Sequence, residues 1–364
     1  MSKNSANSNY YSPKRKRRRR IFYLIFFVSI CIWLFTGSRD KEIKEPTFQK
    51  KHGTAVIITG AAAKIAQEAA LLEHLHSKGL LNNVVFISGA SSGALNAAVL
   101  NAILEKKITW SEYINILSNL SNDDIFIRNG NKLPVNTQPL RNLIKRIVTD
   151  SLGYEKLSDL PYPTSFSIVN LKILTFKDRT YRLSNRSINR ESDSTLNIVD
   201  VLMASTSYPI AFPPVSIGNI KTIPDVPYHD GGIAADHVPF HSLIEFEKYS
   251  GFEVDTMLII SRKRDSIPNT NLELQQFGID KFKFFDKVGV SPEAISNRGF
   301  YKRLKELKEE APNLAERTFV YVPDFKEEFL MFDFSTLKKQ YEVTIHWAKT
   351  HDPLPLDEYL KIKG

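Results

Sequence analysis

A layered α/β fold behind a single membrane-spanning helix is what this 364-residue sequence predicts, and three observations carry that reading. From residue 54 onward short apolar runs alternate with helical periodicity, the pattern of strand and helix layers. A Gly-x-Ser-x-Gly turn, Gly89-Ala90-Ser91-Ser92-Gly93, stands between one such strand and an alanine-rich helix. Ahead of both, the 17 uncharged residues 21–37 (IFYLIFFVSICIWLFTG) follow seven consecutive cations, Lys14 to Arg20.

The charge pattern separates the N-terminus from the rest. The net charge of +9 would raise nucleic acid as a partner if it were spread over the chain. Eight cations and no acid lie in residues 1–20, however, and the remainder is close to neutral. A basic tail abutting an apolar run reads as membrane topology rather than as a nucleic-acid patch. Seventeen residues in a helix span about 26 Å, short but sufficient for a bilayer core of ~30 Å. The cations hold the N-terminus on the cytoplasmic side and send the rest of the chain across. No clear small-x-small cleavage site follows, which favours a signal anchor over a cleaved signal peptide. The expected organisation is a basic tail (1–20), a transmembrane signal anchor (21–37), a juxtamembrane linker (38–52) and one catalytic domain (53–364). The single cysteine, Cys31, excludes an internal disulfide framework and a cysteine-rich metal site.

Within the domain, residues 54–59 (TAVIIT) read as a buried strand and 65–78 as a helix with Ile65, Ala69 and Leu72 on one face. A second strand, 84–88 (VVFIS), runs into the Gly-x-Ser-x-Gly turn and its helix. Helices are expected at 114–121 and 137–152, two strands over 165–183 with Asn170 near their turn, and a short helix at 197–205. Strands at 256–261 and 318–322 and helices at 292–310 and 336–349 complete the reading, with no internal repeat.

Ser91 is the leading candidate nucleophile. A serine on a sharp strand-to-helix turn projects its hydroxyl from the sheet edge, and the amide dipoles of the helix N-terminus favour a developing negative charge there. A serine needs a base, and His346 or His351 suits the Ser, Asp, His order of an α/β-hydrolase esterase. His74 and His76, two apart on a helix, and His237 and His241, separated by a Pro239 that opens a helix beyond His237, do not meet metal-ligand spacing. His229 reads as a strand residue facing away from its neighbour Asp230. The aromatic clusters 277–290 and 324–334 suit core packing or, with their lysines, a membrane interface or a lid over an acyl pocket.

A more specific constellation is Asp230-Gly231-Gly232 in YHDGGIAADHVP, with MASTSYPIAFPPV upstream at 203–215 and GASSGALNA at the serine turn. Together these blocks resemble the patatin-like phospholipase family over residues 53–239. The resemblance implies a three-layer α/β/α sandwich that hydrolyses lipid acyl esters of the phospholipase A or lysophospholipase type. It implies a catalytic dyad without histidine, Ser91 as nucleophile and Asp230 as proton acceptor, with Gly89, Gly93, Gly231 and Gly232 as supporting motif positions. The family's glycine-rich oxyanion loop corresponds to Gly60-Ala61-Ala62-Ala63-Lys64-Ile65. Gly60 is kept, Lys64 replaces an arginine, two glycines have become alanine and the last isoleucine. Backbone donors survive such changes, so Gly60, Ala61, Ala62 and Ser92 are the expected oxyanion amides. Where a position needs positive φ, alanine costs on the order of 1 to 2 kcal/mol. No metal or organic cofactor is implied, and the expected partners are an acyl-ester lipid and the bilayer itself. The altered loop leaves a non-catalytic lipid-binding protein as the rival from another class.

Overall fold

The computed structural model describes residues 52–172, 177–218, 220–251, 253–265, 269–279 and 291–363. The basic tail, the anchor at 21–37 and nearly all of the linker lie outside these residues. Among the described residues, no helix is long and apolar enough to cross a membrane.

The first strand, β1 (Thr54–Ile58), is apolar from Ala55 onward because both of its faces are buried there. Val56 and Ile58 join one core, and Ala55 and Ile57 the other. Helix α1 (Ile65–Ser77) returns the chain to β2 (Val84–Ala90), and α2 (Ser92–Leu104) follows after one residue, Ser91. Helix α3 (Trp110–Ser118) begins four residues before the expected 114. Its start is fixed by a capping box, in which the Glu112 N–H donates to Thr109 Oγ1 and the Thr109 N–H to the Glu112 carboxylate. A hairpin, β3 (Ile127–Asn129) and β4 (Lys132–Asn136), then precedes α4 (Gln138–Ile144), which widens into a π-type turn over Lys145–Ser151.

The long strands β5 (Thr164–Lys172) and β6 (Lys177–Ser184) are antiparallel. Asn170 lies near their turn, as expected, two residues before the end of β5 and opposite Arg179, with its side chain donating to Pro227 O. Helix α5 (Ile198–Ser205), capped by Asn197, leads to the two-residue strand β7 (His229–Asp230) and then to α6 (His241–Ser250), which leaves His237 outside. The remainder is β8 (Thr256–Ile260), α7 (Thr270–Gln276), α8 (Pro292–Glu310), α9 (Pro312–Glu316), β9 (Thr318–Tyr321), α10 (Leu337–Ala348), β10 (Leu354–Pro355) and α11 (Leu356–Lys363).

The sheet order is β10-β9-β8-β1-β2-β5-β6, parallel from β9 to β5 and antiparallel at both edges. One face of the central strands packs under α1, α2, α4 and α5, whose buried side chains share a core with Val56, Ile87 and Leu258. The other face packs under α6, α8 and α11 against Ala55, Phe86 and Met257. Two cores on two faces of one sheet make the expected three-layer sandwich.

Register then sets the site. β2 pairs with β5 only as far as Ala90 opposite Ser167, and β6 occupies the other edge of β5. β7 takes up the vacated edge, placing Asp230 opposite Ile168, one position beyond Ser167. Ser91, the residue after Ala90, is thereby brought up to Asp230 at the carboxyl ends of the parallel strands, where open α/β sheets form their sites.

Candidate active site

Ser91 has φ 58° and ψ −134°, a conformation rare for any residue but glycine and the mark of a nucleophile elbow. Close backbone contacts enforce it. A Cβ on Gly93 would stand 2.2 Å from the Thr59 carbonyl oxygen, and one on Gly89 2.4 Å from the Gly93 carbonyl oxygen. The turn is also held from the side, because the Ser91 N–H donates to Ser205 Oγ (3.1 Å), whose own proton goes to Ser167 O (2.8 Å). Two residues on, Ser207 O accepts from the Asp230 N–H (3.1 Å). The MASTSYP block therefore fixes both members of the pair through alternate serines.

The Ser91 side chain adjoins the Asp230 carboxylate across Gly232, and Asp230 Oδ1 accepts from the Gly232 N–H (2.7 Å). Gly231 and Gly232 permit this, since a Cβ on Gly231 would stand 2.5 Å from the Ser167 carbonyl. Asp230 is buried, and burial pushes its carboxyl up to about 7 against the opposing pull of the neighbouring Ser91 side chain and the Gly232 N–H. A carboxylate poised near neutrality and set beside a strained serine is suited to general-base work.

The loop from Gly60 to Ile65 faces Ser91. Gly60 approaches so closely that a Cβ there would lie 2.9 Å from Ser91 Cβ. Ala62 has φ 47°, so the positive φ foreseen in the loop falls at a substituted position. The Ala61 N–H, expected among the oxyanion donors, is turned instead to Ser92 Oγ (2.8 Å). The amides of Gly60 and Ala62 donate to no described residue, and that of Ser92 opens α2, where a helix has no partner of its own to offer. Lys64 points away from the site into the interior, paired with Glu293 (2.6 Å), which Arg262 also contacts at 2.6 Å. Burial, with Arg262 nearby, brings its ammonium down to about 8.

Beside the pair opens a cavity of about 860 Å³, at the upper end of the range for ligand pockets. Its walls are almost wholly aliphatic and aromatic, drawn from α2, α3, α4 and the π-type turn on one side and from Phe277, Met331, Phe332 and Phe334 on the other. The aromatic clusters at 277–290 and 324–334 thus supply buried core side chains that also line the cavity; residues 280–290 lie outside the described residues.

Sequence reasoning missed several groups at the site. Glu273 on α7 lines the cavity and accepts from the N–H groups of Met331 and Phe332 (3.0 Å for the latter), and burial pushes it up to about 7. The Met331 carbonyl in turn accepts from the Ala63 N–H (2.8 Å), tying that wall to the loop after β1. Arg262, Lys263 and Arg264, three cations immediately after the apolar run of β8, are buried at the carboxyl end of the sheet. Such a run beside a central strand was the signal available. His237 lines the cavity and is driven down to about 3 by burial and by Arg264 and Arg303, so it stays neutral. His346 lies on α10 and His351 stacks on Trp347 with its ring centroid 4.3 Å away, and neither lines the cavity. His229 faces Ser207 O (3.3 Å). No group of His, Cys, Asp or Glu among the described residues could hold a metal ion.

The family model for patatin-like phospholipase matches residues 56–244, which contain the elbow, the serine block and the aspartate turn just described. The chain belongs to the patatin-like phospholipase family, whose members are lipid acyl hydrolases. Among solved structures, it is similar to VipD from Legionella pneumophila, with 14% identity, 87% of this chain and 72% of that chain covered, and a TM-score of 0.34. It is also similar to the ExoU-SpcU complex from the type III secretion system of Pseudomonas aeruginosa, with 12% identity, 73% and 59% coverage and a TM-score of 0.32. No curated protein sequence matches the chain.

Proposed function

We propose that this chain is a membrane-anchored lipid acyl hydrolase of the phospholipase A or lysophospholipase type, acting through Ser91 and Asp230. The observation that carries the reading is the placement of a strained serine beside a buried carboxylate held near 7, both lining an apolar cavity of about 860 Å³. As Ser91 Oγ attacks the ester carbonyl, its proton passes to Asp230, and the negative oxygen is met by the amides of Gly60, Ala62 and Ser92. Asp230 returns the proton to the leaving alcohol, which leaves an acyl-enzyme. A water then gives its proton to Asp230 and attacks the acyl carbon, and as the acyl–oxygen bond breaks Asp230 returns that proton to Ser91 Oγ, releasing the fatty acid and restoring the pair. The acyl chain lies in the cavity, and the anchor at 21–37 keeps the enzyme beside its substrate with the domain on the non-cytoplasmic side.

A fluorophosphonate probe tests the dyad. The wild type should label at Ser91, Ser91→Ala should not label, and Asp230→Asn should label and turn over at least about 1,000-fold more slowly. Unchanged ester hydrolysis by Ser91→Ala would sink the proposal. A second reading, lipid binding without turnover, is favoured by the Ala61 amide's being already engaged by Ser92 Oγ. Tight lipid binding by a wild type that neither labels nor cleaves any ester is its signature.

A further inference from the structure

We infer that the mouth of the cavity, formed by the β3–β4 hairpin and the turn at 208–212, is a docking face that inserts into an anionic lipid surface. The inference rests on the acyl hydrolase reading, which requires a chain to pass from a bilayer into the cavity.

Ile210 locates the mouth. It lines the cavity and is yet 70% exposed, the highest value among the six exposed large hydrophobic side chains of the described residues. It is held there with φ 71°, a left-handed conformation that a β-branched residue rarely adopts. The turn is closed by the Phe212 N–H donating to Tyr208 O (2.8 Å), and Phe212 and Tyr208 both pack on Phe332. An apolar side chain is thus pushed outward by a frame that is itself anchored in the core. That is the reverse of what burial of apolar surface favours in water, and strained residues of this kind gather at functional segments.

The neighbouring segment has the same character. The Val135 N–H donates to Ala211 O (2.9 Å), joining the hairpin to the turn. On that hairpin Leu133 lines the cavity, and Ile127 is 55% exposed. Two exposed cations flank them, Lys132 and an Arg128 whose Nε–H donates to Gln276 O (3.0 Å), while the body of the chain as a whole is near neutral. Exposed isoleucines with cations beside them are the composition of a surface that sits in the headgroup region and reads anionic lipid. The occupant is continuous with the cavity's contents, because a chain leaving the bilayer past Ile210 enters an apolar channel without crossing water. A protein partner would have no reason to share its contact with the opening of an acyl pocket.

The test uses the full chain in a Cys31→Ser background, so that an introduced cysteine is the only thiol. Ile210→Cys, Ile127→Cys and, as control on α6, Tyr249→Cys (55% exposed) each carry an environment-sensitive fluorophore. Each protein is reconstituted in phosphatidylcholine vesicles, with or without phosphatidylglycerol, containing spin-labelled acyl chains. Quenching at 210 and 127 should be at least about twice that at 249, as expected for side chains inserted ~5–10 Å. Arg128→Glu with Lys132→Glu should lower it in anionic vesicles and leave neutral ones unchanged. Equal quenching at all three positions, or none, overturns the docking face. Insensitivity to charge reversal in anionic vesicles overturns the lipid assignment. Quenching needs no turnover. Its loss beside intact fluorophosphonate labelling therefore removes the docking face alone, and quenching without labelling removes the hydrolase reading alone.

Discussion

The serine elbow at residues 89–93 keeps both glycines of its motif, whereas the loop at 60–65, packed against it, keeps only the first of the family's four. The structure separates two uses of glycine. Gly89, Gly93 and Gly60 are places where another backbone or Ser91 itself occupies the space a Cβ would need. Ala62 needs only a positive φ, which alanine adopts at a cost of about 1–2 kcal/mol. Missing space is far harder to tolerate than an unfavourable dihedral, so the loop has lost the glycine it needed for φ and kept the one it needed for room.

Gly93→Ala breaks that comparison most severely. Its Cβ meets the rigid carbonyl oxygens of Thr59 and Ile58 at 2.2 and 2.6 Å, so the elbow and β1 must separate. A loss above about 4 kcal/mol is expected, read as failure to fold or a collapsed melting transition. Gly60→Ala is milder, because its Cβ meets Ser91 Cβ at 2.9 Å and no carbonyl oxygen closer than 3.7 Å, so the loop can swing away without parting the elbow from β1. A stability loss of about 2–3 kcal/mol is expected, with turnover reduced about 100 to 1,000-fold as the loop amides leave the serine. Equal stability losses in the two variants would erase the distinction.

Asp230 sharpens the comparison from the other side of the elbow. Its carboxyl stands near 7 in the folded protein against an ordinary 3.8, so the native state holds a proton that the unfolded chain releases. Stability is therefore greatest below about pH 4 for this group and is lost as pH rises towards 7, by up to about 4 kcal/mol. Asp230→Asn removes the titration while keeping the acceptor for the Gly232 N–H. Relative to wild type, its melting temperature should rise at pH 8 and match at pH 4. Catalysis moves oppositely in the wild type, where kcat/KM should climb through about pH 7 as the base becomes charged. A profile flat from pH 5 to 9 contradicts the assignment.

The sequence made the strands and the pair legible for a local reason. A strand buried on both faces is a short apolar run, and the elbow and aspartate turn are dictated by contacts within a few residues or across one register. The start of α3 was missed because a capping box depends on Thr109 and Glu112, outside the apolar periodicity. The cavity was illegible as a whole, since its walls come from residues as far apart as Ile65 and Leu337. The family match ends at residue 244, yet Phe277, Glu273 and Phe332 beyond it complete the cavity.

The smallest effect tests the loop itself. Ala62→Gly relieves the positive φ, worth about 1–2 kcal/mol, and adds freedom to the unfolded chain that costs about 0.4–1 kcal/mol. A net gain of about 0.5 to 1 kcal/mol is expected, visible as a small rise in melting temperature. Turnover should change less than about threefold, because Gly60 and Ala62 line the cavity in either case and the backbone at 62 is already in a conformation that glycine adopts readily. A large increase in turnover would show instead that the alanine holds the amides out of line, and that the loop, not the Ser91–Asp230 pair, limits the rate.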